Sequence, residues 1–273
     1  TGAIAYVPSW GVQGRAEGWV GDQSGKTQDR GEVVPATDCV VACASVAPKG
    51  NEKYVALTFD EGPSGATKQI LQVLKEKGVT ATFFLSGDAA EASPATAKAI
   101  VDAGCEIGSN SYSDDSLKGQ DREAVREQIT KGTDAIKSAT GVKTMLLRAP
   151  YAAFDEQNWI DAMDLVSAVV SWNIDSGDWL LNGADEQVST VLDSVTPGNI
   201  VLLTDRDECA EQTLEALPQI IDGLIADGYK IVTLSDLVKT DTSLSKKLTS
   251  LTKAAMPKNA VFPQLAEDDD TTE

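Results

Sequence analysis

The chain contains no histidine. At ordinary usage 273 residues carry roughly half a dozen, so the absence removes the usual imidazole acid, base and metal ligand together. Any chemistry must run on carboxylates, hydroxyls, amides, thiols, Arg and Lys. Aromatics make up only 5% of residues. No apolar run reaches the ~18 residues of a membrane span, which argues against membrane insertion. Positive charge is scarce: 23 Lys and Arg stand against 42 Asp and Glu, for a net charge of −19. Such a surface repels nucleic acid and anionic lipid. It suits a soluble, exported protein, although solubility alone also accounts for it. The four cysteines, Cys39, Cys43, Cys105 and Cys209, fit no zinc ribbon. An even count in an exported chain permits disulfides: Cys39 with Cys43 across a short loop, and Cys105 with Cys209 if both lie near strand ends. Four unpaired thiols are the alternative. The chain starts at Thr1 and shows no signal-peptide pattern, which reads as a processed chain or a piece of a longer precursor.

What is present is a core and a rhythm. Apolar residues make up 42%, enough for one large α/β domain with modest extensions. Residues 1–51 read as an irregular N-terminal extension, with Trp10 and Trp19 as anchors and short strand seeds at Val33, Val34, Val40 and Val41. Residues 52–240 form the main domain. Apolar, β-prone runs at 54–59, 80–85, 105–108, 143–147, 168–173, 200–203 and 230–234 alternate with helical patterns at 66–77, 94–103, 122–139, 157–165, 186–195 and 213–227. Gly78, Gly104, Gly141 and Gly228 stop four of the helices, and Ser93-Pro94 starts one. Alternating β and α units imply parallel strands with helices outside. Seven or eight such units in about 190 residues point to a (β/α) barrel, whose working residues sit at the C-terminal strand ends. Residues 241–273 read as a C-terminal tail with a short helix near 244–255 and a solvated acidic run at 267–270, or as a link to a further domain.

Five predicted strand ends carry polar residues that converge on one rim: Thr58-Phe59-Asp60-Glu61-Gly62-Pro63, Glu106-Ile107-Gly108-Ser109-Asn110-Ser111-Tyr112-Ser113-Asp114, Arg148-Ala149-Pro150-Tyr151, Asp175-Ser176-Gly177-Asp178-Trp179, and Leu203-Thr204-Asp205. Taken in order, these five stretches resemble the motifs of the polysaccharide deacetylase family (the NodB-homology domain, carbohydrate esterase family four). The resemblance covers roughly residues 53–238. It implies a distorted (β/α) barrel of the deacetylase type and metal-dependent deacetylation of N-acetylglucosamine polymers or acetylated xylan. In the family the first Asp is the general base, the next Asp and two His hold zinc or cobalt, and a His in the fifth motif is the general acid. An Arg and an Asp orient base and acid, while an aromatic and a Leu shape the pocket.

Carried over residue by residue, Asp60 keeps the base position, and Arg148, Asp175, Asp178, Trp179 and Leu203 are kept. The three ligand positions become Glu61, Asn110 and Asp114, and the acid position becomes Thr204. Tyr151, Trp179 and Leu203 are the candidate groove residues. The substitutions change the chemistry. Glu61 is one methylene longer than Asp, Asn110 offers a neutral amide oxygen, and Asp114 is shorter than His. An all-oxygen set suits Ca²⁺, Mg²⁺ or Mn²⁺ better than zinc, and an empty site is expected ahead of an occupied one. Threonine cannot protonate a leaving amine near neutral pH, and general acid-base help is worth roughly 10²- to 10⁴-fold. The resulting expectation is a pseudoenzyme, monomeric and extracellular or at the cell surface, that still recognises a polysaccharide. The alternatives are a live hydrolase using Asp60 and a hard cation, or a structural or adhesive module of a larger surface protein. Asp60 with Arg148 is read equally as a buried ion pair, Asp175 and Asp178 as backbone caps, and Trp172 and Trp179 as core.

Overall fold

In the computed structural model, the described residues are 46–241, apart from 155, 163, 164 and 167, together with the strand backbones at 5–6 and 43–44. The expected anchors Trp10 and Trp19, the strand seeds at 33–41, Cys39 and the C-terminal helix and acidic run lie outside them.

The core of the molecule is a sheet of parallel strands. Its central member is β3 (Lys53–Asp60), whose last six residues are all buried. Along one edge β3 pairs with β9 (Asn199–Thr204) from Val55 to Asp60. Its other edge is shared: residues 53–55 pair with β10 (Tyr229–Ile231), and residues 58–60 with β4 (Thr82–Leu85). From β4 the sheet continues through β5 (Glu106–Ser109), β6 (Leu146–Leu147) and β7 (Ala168–Val170), and β8 (Ile174–Asp175) flanks β9. Two short strands, β1 (Ala5–Tyr6) and β2 (Cys43–Ala44), add antiparallel to the outside of β7.

The sheet must curl. β7 and β8 lie six strand spacings apart along the sheet, roughly 29 Å if it were flat. Yet the chain between Val170 and Ile174 spans at most about 14 Å. The eight parallel strands therefore bend round into the barrel that the β-α rhythm predicts.

Helices α1 (Thr67–Lys77), α2 (Gly87–Ala92), α3 (Pro94–Asp102), α4 (Arg122–Thr140), α5 (Glu156–Ala162), α6 (Ala184–Ser194), α7 (Ala210–Ala226) and α8 (Leu234–Thr240) connect the strands. Period-two alternation divides the core. Val55, Leu57 and Phe59 of β3 and Val201 and Leu203 of β9 face the helices, where Phe59 stacks on Phe83 with ring centroids 4.9 Å apart. Ala56 and Ile200 face the barrel interior with Phe84, Leu147 and Val169. Thr58 and Asp60 share the face of Ala56, so Asp60 emerges at the interior rim.

The expected boundaries shift in places. α2 and α8 are additional to the helices read from the pattern. α8 begins where Thr233 caps it, its hydroxyl accepting from the Asp236 backbone N–H at 3.3 Å, and this shortens the last strand. Ser93 stands at the N-cap of α3, but its side chain makes no cap hydrogen bond. Cys105 and Cys209 are both free and buried, against the possible pairing. The reason is topological: Cys105 precedes β5 and Cys209 follows β9, so in a parallel sheet they sit at opposite rims. No helix of the described residues is long and apolar enough to cross a membrane.

Candidate functional site

The floor of the rim is an ion pair. Arg148, at the end of β6, is fully buried, and its Nη1 lies 2.7 Å from the Asp60 carboxylate. The same Nη1 donates to the Thr58 hydroxyl at 2.7 Å, Nη2 to the Ser171 carbonyl at 2.8 Å and Nε to the Val170 carbonyl at 3.2 Å. Its guanidinium also stacks 4.2 Å from the centre of the Phe84 ring. One side chain thus ties β3, β6 and the β7–β8 connection together. Burial pushes the Asp60 carboxyl up to about 6 against the pull of Arg148, with Asp178 and Asp175 adding to the rise.

Close backbone packing sets the loops around this pair. The Asp205 backbone N–H donates to the Asp60 carbonyl at 2.8 Å, and the buried Asp205 carboxylate accepts from Ser64 and Thr67 at 2.6 and 2.7 Å. A Cβ at Gly62 would stand 2.2 Å from that carboxylate, so only glycine fits this turn. On the facing loop, a Cβ at Gly132 of α4 would lie 2.5 Å from the Ser111 carbonyl group. This close approach seats the Asn110–Asp114 segment against the helix.

Two of the three ligand positions, Glu61 and Asp114, meet on one guanidinium, and the amide nitrogen of the third, Asn110, is tied to the backbone. The Asn110 amide donates to the Arg148 carbonyl at 2.8 Å. Asp114 accepts from the Tyr151 hydroxyl at 2.6 Å, a bond that pushes the phenol up to about 12. Glu61, in a left-handed conformation at φ 73°, makes an ion pair with Nε of Arg206 at 2.8 Å. Nη2 of the same guanidinium comes within 3.9 Å of Asp114. A protein cation therefore bridges two of the three positions. Among the described residues no three His, Cys, Asp or Glu side chains are grouped to hold a metal ion. The donor set does not fit the divalent metal that polysaccharide deacetylases normally use. Burial pushes Glu61 up to about 7; Arg206 opposes the rise and Asp114, Asp60 and Asp178 reinforce it.

At the acid position, Thr204 is tied to Asp178 rather than to Asp175. Its hydroxyl and backbone N–H donate to the Asp178 carboxylate at 2.9 and 2.7 Å, and Thr213 adds a third bond at 3.0 Å. Burial raises the Asp178 carboxyl above its ordinary value, and these three bonds restrain the rise. Asp175 instead caps a local turn, accepting from the Gly177 backbone at 2.9 Å and from the Trp179 indole at 3.2 Å. Of the groove candidates, Tyr151 and Trp179 are exposed on the rim, at 68% and 53%. Leu203 is not on it: it is fully buried in the helix-facing core beside Phe59, one residue out of phase with Thr204. Leu202, two residues before Thr204, shares its face. Arg206 was absent from the sequence-derived set. Its only signal there was a basic residue just after a strand-end motif on an otherwise acidic rim.

The polysaccharide deacetylase family profile matches residues 47–166. A peptidoglycan-N-acetylglucosamine deacetylase of Bacillus cereus is 32% identical over 217 residues, covering 79% of this chain and 79% of its own. The chain belongs to the polysaccharide deacetylase family. A bifunctional xylanase/deacetylase of Pseudobutyrivibrio xylanivorans is 37% identical over 189 residues, 68% of this chain, and this chain spans only 31% of that larger relative. Among solved structures, a CE4 family pseudoenzyme from Bacillus anthracis superposes with a TM-score of 0.65 at 31% identity, covering 71% of this chain and 70% of that one. A mutant of the same pseudoenzyme, with restored enzymatic activity, matches with the same TM-score at 32% identity over 71% and 72%.

Proposed function

We propose that this polysaccharide deacetylase-fold protein does not turn over acetylated glycans and keeps its rim as a glycan-recognition surface. The observation that carries this reading is the Arg206 guanidinium, which lies against Glu61 and reaches toward Asp114 where the family places a metal. Bringing a divalent cation to the same spot sets like charges together and must displace an ion pair. Thr204 supports the reading independently, since a hydroxyl held on Asp178 cannot supply a proton to a leaving amine. Losing a general acid removes roughly 10²- to 10⁴-fold of rate, and losing the Lewis acid removes several kcal/mol more of charge stabilisation.

The exposed rings of Tyr151 and Trp179 give the rim apolar faces of the kind sugars stack on. The cell-wall glycans on which relatives act make an extracellular or surface location the fitting one, with the protein working as a monomer. One feature favours the live-hydrolase alternative: Asp60 is held by Arg148 and pushed to about 6, suited to a base near neutral pH. A deacetylase assay on acetylated chitooligomers and acetylated xylan with added zinc, cobalt, manganese or calcium separates the two readings. No turnover is expected. Robust turnover that disappears in Asp60→Ala refutes the proposal.

A further inference from the structure

Asparagine is among the chemically labile side chains. It loses its amide when the backbone nitrogen of the next residue attacks the side-chain carbonyl carbon, and a glycine in that next position removes the Cβ that hinders the approach. The chain has a single Asn-Gly pair, Asn182-Gly183. It joins the turn Asp178–Leu180 to α6. Asn182 is exposed on the cleft between those two elements, and its side chain makes no hydrogen bond among the described residues. Gly183 is the N-cap of α6, with φ 99° and ψ 158°, and no side chain caps that helix end. Asn110-Ser111 is the contrast: Asn110 is 2% exposed, and its amide donates to the Arg148 carbonyl. One group restrains the reactive nitrogen of Gly183. Its backbone N–H donates to Oε1 of Gln212, in the first turn of α7, at 2.5 Å. A nitrogen whose proton is held on an acceptor is a poor nucleophile. That bond must open, and the proton must leave, before attack.

We infer that Asn182 is a self-modification site, deamidated through a succinimide, and that Gln212 is its brake. The Gly183 nitrogen gives its proton to hydroxide and bonds to Cγ of Asn182. The Cγ–Nδ2 bond breaks, and ammonia leaves with a proton from solvent. Water then opens the succinimide at either carbonyl, giving aspartate or isoaspartate. The net change is one water taken up and one ammonia released, with no oxidant or reductant. Either product places a carboxylate just before α6, whose first turn already carries Asp185 and Glu186. Negative charge is favoured at a helix N-terminus, so the product is tolerated there. The isoaspartyl form also adds a methylene to the main chain between α6 and the turn that carries Trp179, which alters the edge of the rim. This holds whatever the rim binds.

The test is peptide mapping by mass spectrometry of the full chain kept folded at pH 6 and at pH 8, beside the same chain unfolded in urea. The peptide holding Asn182 is expected to gain the mass of an amide-to-acid conversion, faster at pH 8 than at pH 6, and to split into aspartyl and isoaspartyl forms. Asn110 is expected to keep its amide in the folded protein. Gln212→Leu removes the acceptor and is expected to speed the conversion about fivefold, the worth of one hydrogen bond. Gln212→Glu keeps an acceptor for the Gly183 N–H and is expected to leave the rate at or below that of the wild type. Equal rates in the wild type and Gln212→Leu overturn the brake. Equal acceleration in Gln212→Leu and Gln212→Glu also overturns it, since loosening of α7 and not loss of the acceptor would then set the rate. An Asn182 that keeps its amide in the folded wild type and in folded Gln212→Leu, but loses it in urea, overturns the site itself.

Discussion

Replacing Arg206 by alanine tests whether the guanidinium acts as the resident cation of the rim. Its Nε stands 2.8 Å from Glu61, while the 3.9 Å approach to Asp114 adds less. Two unit charges about 4 Å apart attract by roughly 1 kcal/mol in bulk water and about 4 kcal/mol at an effective dielectric of 20. The Arg206 side chain is 43% exposed and that of Glu61 23%, which places the pair near the lower limit, at about 1 kcal/mol. That is equivalent to roughly 0.7 pH in the Glu61 titration midpoint, at about 1.4 kcal/mol per unit. The sign follows from linkage. The folded protein holds the Glu61 proton more tightly than the unfolded chain, so the stability tied to protonated Glu61 is present in full below about 4.5 and is lost as pH rises through about 7. In Arg206→Ala the Glu61 midpoint moves further up, and above it the charged carboxylate has no partner. The variant is therefore expected to match the wild type in urea unfolding at pH 5 and to be less stable by about 1 kcal/mol at pH 8. Carboxyl ¹³C NMR reads the midpoint directly. An equal loss at both pH values, or a midpoint that stays or falls, refutes the assignment of Arg206 as the counter-ion of Glu61.

Three further outcomes follow from the same geometry. Glu61→Gln removes a carboxylate that is disfavoured when charged, so it gains up to about 3 kcal/mol at pH 8 and nothing at pH 4, read by urea unfolding at the two pH values. Arg148→Ala strands the buried Asp60 and frees the Val170 and Ser171 carbonyls, at a cost of about 3–5 kcal/mol in denaturant unfolding; a loss under 1 kcal/mol contradicts the structural role given to the pair. Installing Glu61→Asp, Asn110→His, Asp114→His and Thr204→His together is expected to create zinc binding measurable by calorimetry. Adding Arg206→Ala to that set then tightens zinc at least tenfold, and unchanged affinity means that the guanidinium does not compete for the site.

The fold was legible because its determinants are local. Apolar runs of strand length, helix-stopping glycines and polar strand ends recur at a β-α period, and period plus handedness leaves little choice but a curled parallel sheet. The contacts that decide the chemistry are not local. Arg206 and Glu61 are separated by most of the domain, and their meeting depends on how the loop after β9 folds over the loop after β3, which no periodicity encodes. The choice between Asp175 and Asp178 turned on one short turn: Asp178, which opens the 3₁₀ turn, points in toward Thr204, whereas Asp175, three residues earlier at the end of β8, caps the chain. Leu203 was misplaced by a single step of strand phase: the pattern marks an apolar residue at the rim but does not say which face it takes. The Cys105–Cys209 pairing failed because strand direction, not proximity to a strand end, decides which rim a residue occupies.

On the proposed reading, the retention of Asp60 beside ligand and acid positions that depart from the family's residues has a physical explanation without catalysis. Arg148 is fully buried and makes four hydrogen bonds that cross three strands, so the fold depends on its guanidinium being there. A buried guanidinium needs a counter-charge, and Asp60 supplies the only carboxylate ion-paired with it among the described residues. Truncating one partner of such a pair typically costs 3–5 kcal/mol, a large part of a domain's total stability of about 5–15 kcal/mol. Of the positions that differ from the family, Glu61 and Asp114 are partly exposed and Thr204 is satisfied through Asp178, while the buried Asn110 holds the Arg148 carbonyl. On that reading Asp60 and Arg148 are held by folding stability, whereas the ligand and acid positions are under a weaker structural constraint. If the chemistry is lost, the ligand and acid positions can change while Asp60 and Arg148 cannot, which matches the residues kept and replaced in this chain.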